Sequence, residues 1–410
     1  MEDIRVPWNA WYEDGEINLT FPEEWEVRML PMRDAPDTGD EAIAAAFHSP
    51  IGTPPLREIA RGRRDAIIAI DDITRPTPGS RILPFVIEEL REAGIPEDKI
   101  KIIIALGLHR PHLRAENLAK LGREFTDRFE VLQHYPHGKS HIYLGTSSWG
   151  TPITLNRFFM EADIKIGVGC IIPHSSAGYS GGGKIVLPGL ASFETIEINH
   201  APAEAGETGG VGVIEGNQFR LEVEEVARMA GLEFIVNVVV NSRRGVAGTF
   251  VGDPVVAHRA GVRLARQVYA TPNVPQDMDI VVLNSYPKDQ NLVNQAINAF
   301  DILLSTLRNV VRPGGTIILV GACPEGRGLD RGHDHFLALT DYGGYRQIVE
   351  GRQMVVFSPN VSQFDVRQCI AETCLVYGEW KLMIKDLRQT HGPGTRVAVF
   401  PVATLQVAEE

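Results

Sequence analysis

The sequence predicts two α/β domains with mostly parallel sheets, on three observations. Apolar runs of four to eight residues alternate with amphipathic helical stretches along the chain, the signature of βαβ units around a parallel sheet. The alternation breaks at 271–277, a short polar stretch with two prolines, and then restarts. Chemically distinctive residues follow directly on apolar runs: Asp71-Asp72, His109 and His174. Open α/β sheets bind ligands beyond the carboxyl ends of their strands.

The elements follow in order. DAIIAID (65–71) reads as a strand, SRILPFVIEELREAG (80–94) as a helix ending at glycine, and KIIIALG (101–107) as the next strand. RAENLAKLG (114–122) is a short helix, FEVLQHY (129–135) a strand, and the apolar run at 163–172 another. QFRLEVEEVARMAG (218–231) is helical, EFIVNVVVN (233–241) a buried strand, and VVAHRAGVRLARQVYA (255–270) a helix. Residues 1–270 are thus expected to form an N-terminal catalytic and cofactor-binding domain, and 278–410 a C-terminal one. The second domain begins with DIVVLNS (279–285), a long helix at 291–311, and strands GGTIILVGA (314–322) and QMVVFS (353–358). A helix near 366–390 and a final strand RVAVFPVATLQV (396–407) complete it. The active site is expected in the crevice between the domains.

Composition narrows the function. With 44% hydrophobic and 22% charged residues, this is an ordinary globular chain. A formal charge of −12 argues against a nucleic-acid or anionic-membrane surface. Cys170, Cys323, Cys369 and Cys374 are scattered, with no C-x-x-C pair, as expected for reduced, buried thiols of a cytoplasmic protein. The N-terminus is acidic and lacks the apolar core of a signal peptide, and no run has the roughly 18 apolar residues of a membrane helix.

Residues 163–200 concentrate the chemistry. The apolar run Ile164, Ile166, Val168, Ile171, Ile172 delivers His174; a flexible Ser/Gly loop follows, then Lys184, then His200 sixteen residues on. Gly178 to Lys184 satisfies G-x-x-x-x-G-K, the start of a P-loop. Ile185 stands where that motif needs a hydroxyl for magnesium. Glycines still let backbone N–H groups approach a phosphate, so a phosphate- or nucleotide-binding enzyme stays open. Upstream, Asp72-Ile-Thr-Arg75-Pro76 offers a carboxylate and a guanidinium suited to a ligand carboxylate or phosphate. Gly107-Leu-His109-Arg-Pro111 places an imidazole after a buried strand, and with His174 it makes an acid/base pair near neutral pH.

Together, DDITRP, GLHRP, IIPHSSAGYSGGGKIVLPG, ASFETIEINH and SYPKDQNL resemble the nickel-dependent lactate racemase family of 2-hydroxyacid racemases and epimerases. The resemblance implies a niacin-derived, pyridinium-3,5-bisthiocarboxylic-acid-type mononucleotide that holds nickel through two sulfurs and a ring carbon, joined covalently to Lys184. It implies His200 as a nickel ligand and His109 and His174 as alternating base and acid. It places Arg75 near the substrate carboxylate, Asp72, Thr74, Gly181 and Gly182 beside the cofactor, and Asn294 and Gln295 beside the substrate. The implied partners are a small 2-hydroxyacid and the cofactor-making enzymes, without nucleic acid or membrane; a homo-oligomer is left open. The chemistry suits these residue types. An α-hydrogen too weakly acidic to leave as a proton leaves as hydride while a base takes the hydroxyl proton, and a 2-ketoacid forms transiently. A soft, planar nickel centre accepts a neutral imidazole, and a lysine in a confined dry site becomes nucleophilic.

This chain departs from the family pattern where Tyr-Gln and a later lysine are expected. Aligned on Asn291-Leu292 it has Val293 and Asn294, with Ile297 or Asn298 near the lysine position; a one-residue shift recovers Gln295 but not the lysine. A second cationic anchor is therefore missing, which leaves both lactate and a longer, aromatic, polyhydroxylated or dicarboxylic 2-hydroxyacid open as the substrate. A non-catalytic homologue that only binds the cofactor is the remaining alternative, and the two bases argue against it.

Other residues are read as structural. His134, His137 and His141 are taken as solvated surface or local loop bonding, and His333 and His335 likewise. His258 is expected to pack or cap its helix, and Arg259, Arg263 and Arg266 to form a solvated face.

Overall fold

The computed structural model describes residues 2–204, 209–306, 309–328 and 343–409. The chain divides into two compact units, one drawn from residues 35–267 and the other joining 1–34 to 268–410.

In the first unit six strands pair in the order Val246–Gly252, Phe234–Val240, Ile164–Cys170, Ala66–Asp71, Ile100–Ala105, Glu130–Gln133. All neighbours are parallel except Val246–Gly252. Ala66 to Ile70 and Phe234 to Val240 are buried throughout, as expected when helices cover both faces of a parallel sheet. Helices Gly79–Glu92, Arg114–Leu121, Gln218–Met229 and Val256–Val268 supply that cover. From Ala66–Asp71 the strand order runs outward in one direction through Ile100–Ala105, and in the other through Ile164–Cys170. That reversal is a topological switch point, where such sheets open a crevice for ligands. Asp72 leaves one strand at the switch, and the chain to His174 leaves the other.

In the second unit the order is Leu375–Tyr377, Gln353–Phe357, Val311–Val320, Met278–Asn284, Arg396–Phe400, Glu26–Met29, all parallel. The N-terminal segment thus belongs with this unit and not with the domain expected at 1–270. Glu26–Met29 completes the sheet edge beside Arg396–Phe400, and Leu30 N donates to Val399 O at 2.8 Å. One face is closed by aromatics: the ring of Trp380 lies 5.5 Å from Phe21 and 5.3 Å from Phe357, both edge-on, a preferred aromatic geometry.

Three expected elements differ. The long helix at 291–311 is replaced by a turn, a 3-10 segment at Ala296–Phe300 and a short helix at Asp301–Leu304. Asn291 Oδ1 accepts from Asn294 N, and Asn298 Nδ2 donates to Asn294 O and Gln295 O. Leu292 N and Val293 N bond Gly326 O and Arg327 O. Side-chain amides and a neighbouring loop thereby take backbone groups a helix would use. The helix near 366–390 is two helices, Gln363–Cys369 and Trp380–Leu387, with Leu375–Tyr377 between them. The final strand stops at Phe400, and Val407–Ala408 pairs instead with Ala270–Thr271. All four cysteines are free and buried. Among the described residues no helix is long and apolar enough to cross a membrane.

Candidate active site

At the switch point Asp72 and His109 form a dyad. His109 Nδ1 lies 2.6 Å from Asp72 Oδ2, and Thr74 donates to the other oxygen, Oδ1, from N at 3.0 Å and from Oγ1 at 2.5 Å. Burial opposes charge on Asp72, but the imidazole charge and hydrogen bond of His109, with the charges of Arg75 and His112, hold its carboxyl well below the usual range. Arg75 Nη1 donates to Thr74 Oγ1 at 2.9 Å, so dyad, hydroxyl and guanidinium form one network.

This loop is held from below by residues that the sequence reading passed over. Lys120 is fully buried; its Nζ sits 2.8 Å from Asp71 Oδ1 and donates to Asp72 O and Arg75 O, each at 2.8 Å. Asp71 is thereby structural, its other oxygen accepting from Thr77 Oγ1 and Cys170 N. Buried His112 accepts from Ile73 N through Nε2 at 2.9 Å and bonds Asn117 Oδ1 through Nδ1. The available sequence signal was a lysine on the same helical face as Asn117 and Leu121, the face that packs inward.

His174 leaves the Ile164–Cys170 strand in a small hairpin, Pro173–His174 against Gly178–Tyr179. The Ser/Gly loop expected to be flexible is tied on several sides. Fully buried Arg220 donates to Ala177 O, Gly181 O and Tyr179 O. Ser180 Oγ donates to Cys170 O, and His258 Nε2 to Ser180 O at 2.8 Å. His258, buried and kept neutral by that burial, packs as expected. Gly181 and Gly182 have φ of +78° and +60°, and a Cβ would meet Asn237 Oδ1 at 2.8 Å and the His258 ring at 3.1 Å. Their glycine identity answers to protein packed beneath them as well as to any ligand. The loop enters a four-residue 3-10 turn at Gly182–Ile185, not the long helix whose N-terminus a P-loop uses.

Lys184, on that turn, and His200, on helix Phe193–Glu204, meet one aromatic ring. Lys184 Nζ stands 5.0 Å from the Phe219 ring centre, and the His200 ring meets Phe219 edge-on at 5.1 Å. Asn199 Nδ2 donates to Glu222 Oε2 at 2.8 Å, which fixes the His200 helix against the helix carrying Phe219. His200 Nδ1 donates to Ile196 O at 3.0 Å, leaving Nε2 as its acceptor nitrogen. Asn294 and Gln295 lie in the other unit, Gln295 buried in the turn after the Met278–Asn284 strand.

Residues 12–209 match the lactate racemase N-terminal domain family. The lactate racemase of Lactiplantibacillus plantarum is 33% identical over 303 residues, 73% of this chain and 70% of that protein. The lactate racemase of Thermoanaerobacterium thermosaccharolyticum is 31% identical over 334 residues, 80% of this chain and 76% of that one. This chain belongs to the lactate racemase family. The fold agrees: the structure of the T. thermosaccharolyticum lactate racemase apoprotein superposes with a TM-score of 0.80 at 23% identity, covering 100% of both chains. A Thermotoga maritima protein solved by a structural genomics consortium gives 0.69 at 16% identity, over 92% of this chain and 100% of that one.

The donor set fits the cofactor that family resemblance implies. Among the described residues no three His, Cys, Asp or Glu side chains converge on a metal site. His200, with its second nitrogen tied to a backbone carbonyl, has the usual arrangement of a metal-binding imidazole.

The remaining candidates resolve as follows. His134 is buried, not solvated; Nε2 bonds Ala191 O at 2.9 Å, and burial pushes its pKa down to about 3. His137 stacks on Phe193, and His141 bonds Gly138 O locally. Arg263 and Arg266 are exposed as expected of a solvated face, Arg266 pairing with exposed Glu215 at 2.5 Å, whereas Arg259 is half-buried and pairs with buried Glu224 at 2.6 Å. His333 and His335 lie outside the described residues.

Proposed function

We propose that this chain racemises or epimerises a 2-hydroxyacid using a nickel-pincer nucleotide attached to Lys184. The observation that carries the reading is the convergence of Lys184 and His200 on Phe219: the tether and the metal ligand share one buried aromatic wall. When bound, that group would accept a hydride from the substrate carbon and return it.

The chain's own residues do the rest. Arg75 pairs with the substrate carboxylate. His109, oriented by Asp72, and His174 exchange the hydroxyl proton as alternating base and acid. Arg220 and His258 keep the loop in the shape that presents Lys184 and His174. The cofactor-making enzymes are the expected partners, and the cytoplasm the expected compartment.

Both curated relatives are named lactate racemase, so lactate is the first substrate to test. Ile297 or Asn298 stands near the position where the family pattern carries a lysine, which favours a larger or more polar 2-hydroxyacid.

The test is intact mass and nickel content after co-expression with the cofactor-making enzymes, followed by enantiomer interconversion assays. A mass increment on the Lys184 peptide with about one nickel per chain is expected, and Lys184→Ala should lose the increment. Neither increment nor nickel would overturn the reading and return attention to a phosphate-type ligand at 178–184.

A further inference from the structure

We propose that His112 is a positioning residue with a pH-sensitive grip: its neutral imidazole holds the Asp72–Arg75 turn, and protonation of that ring releases it. The turnover arm of the test rests on the racemase reading; the other arms do not.

The turn is held in two ways. Lys120 Nζ binds its carbonyls, Asp72 O and Arg75 O. Its amides are served differently. Thr74 N and Arg75 N find acceptors inside the turn, on Asp72 Oδ1 at 3.0 Å and Asp72 O at 3.1 Å. Ile73 N reaches outside it, to His112 Nε2 at 2.9 Å. Ile73 and His112 are 3% and 6% exposed, so water is a poor substitute for that acceptor.

His112 is itself fixed by two further elements. Its Nδ1 meets Asn117 Oδ1 at 3.0 Å, on helix Arg114–Leu121. Its backbone is clamped by Gln133 of the edge strand Glu130–Gln133. Gln133 Oε1 accepts from His112 N at 2.7 Å, and Gln133 Nε2 donates to His112 O at 3.0 Å. Exchanging the two ring nitrogens would break both ring bonds at once.

These partners set the state of the ring. A backbone N–H only donates and an amide oxygen only accepts. Nε2 therefore holds the lone pair, and Nδ1 carries the hydrogen. A second proton, on Nε2, would set one N–H against another and leave Ile73 N without its acceptor. Ile73 lies between Asp72 and Thr74, whose side chains bond each other, and Arg75 Nη1 bonds Thr74 Oγ1. A shift at Ile73 is thus passed to the carboxylate, the hydroxyl and the guanidinium together.

The groups around the ring keep the grip closed at neutral pH. Burial lowers the His112 pKa from its ordinary 6.5, and the Lys120 charge acts the same way. Asp72, Glu116 and the Asn117 bond act against them, and Glu116 is offset by its pairing with Arg110. The ring accordingly takes its proton only on the acid side of about 6.5.

The test compares wild type, His112→Gln and His112→Leu. The first variant supplies an acceptor oxygen that does not titrate; the second supplies none. In cofactor-free protein near neutral pH, two-bond ¹H–¹⁵N correlation should show His112 as the Nδ1–H tautomer. Protection of the Ile73 amide against hydrogen exchange should be high in wild type at pH 8 and fall as His112 titrates. It should stay level with pH in His112→Gln. In His112→Leu it should be lower throughout by about 5–150-fold, the equivalent of one unpaired buried amide. An Nε2–H tautomer overturns the proposal, and so does wild-type protection that stays level while His112 takes its proton. Wild type and His112→Gln decide the matter even where His112→Leu does not fold. In cofactor-loaded enzyme at pH 8, His112→Leu should lose turnover that His112→Gln recovers in part. Equal turnover in wild type and His112→Leu overturns the positioning role. Absence of turnover in the wild type would count against the racemase reading alone, because the exchange measurements still decide His112.

Discussion

Lys184 carries its ammonium 5.0 Å from the ring centre of Phe219. The contact is a cation–π pair in a buried setting, and the ring is held at 3% exposure between the loop and helix Phe193–Glu204. Phe219→Ala should remove the wall shared by Lys184 and His200. Expected are a loss of about 3–5 kcal/mol in unfolding free energy and a sharp drop in cofactor attachment by intact mass. Phe219→Tyr should retain both, and full attachment in Phe219→Ala would sink the role given to the ring.

His200 offers Nε2 because Nδ1 is committed to Ile196 O. His200→Ala should lose nickel while leaving the Lys184 mass increment detectable. Metal analysis of the two proteins, loaded in parallel, checks this; equal nickel would remove His200 as a ligand.

Lys120 and Asp71 form a buried ion pair under the Asp72–Arg75 loop. Lys120→Met leaves a buried carboxylate unpaired, at a cost of about 3–5 kcal/mol, read by chemical denaturation. Asp71→Asn/Lys120→Met should recover much of that stability. Its turnover should stay low, because the clamp on Asp72 O and Arg75 O is still missing. Restored turnover would reduce Lys120 to a structural role.

Asp289 and Asp301 titrate abnormally. Burial pushes each carboxyl up to about 6, against backbone N–H bonds from Asn9 and Ala10 to Asp289 and the Lys288 charge on Asp301. Unfolded carboxyls titrate at about 3.9, so the folded state binds the extra protons in between. The contribution of these groups is fully present below about pH 4 and falls away as pH rises through about 6. The stability difference between wild type and Asp289→Asn/Asp301→Asn should shift against the wild type across that interval. A pH-independent difference would refute the shifted carboxyls.

Much of the first unit was legible in the sequence because parallel strands buried on both faces leave uninterrupted apolar runs, and Ala66–Asp71, Ile100–Ala105 and Phe234–Val240 appear where those runs stand. The segment at 291–311 was not, because its apolar spacing suits a helix while the Asn291, Asn294 and Asn298 contacts that break it depend on partners 30 or so residues away as well as on local amides. The candidate site divides the same way. His109, His174, Lys184 and His200 announce themselves as reactive residue types beside strands and glycines. Lys120, Arg220 and Phe219 resemble any helical lysine, arginine and phenylalanine until burial shows which groups they hold.

By itself, the sequence determined the residue types at the site, their attachment to strand ends, and the family to which they belong, because periodicity and motif order are local properties of the chain. Only the tertiary structure decided that Glu26–Met29 closes the second sheet and that Asp72 and not Asp71 faces His109. Those outcomes turn on which donor meets which acceptor in a dry interior, and that pairing is fixed by packing between residues far apart in the chain.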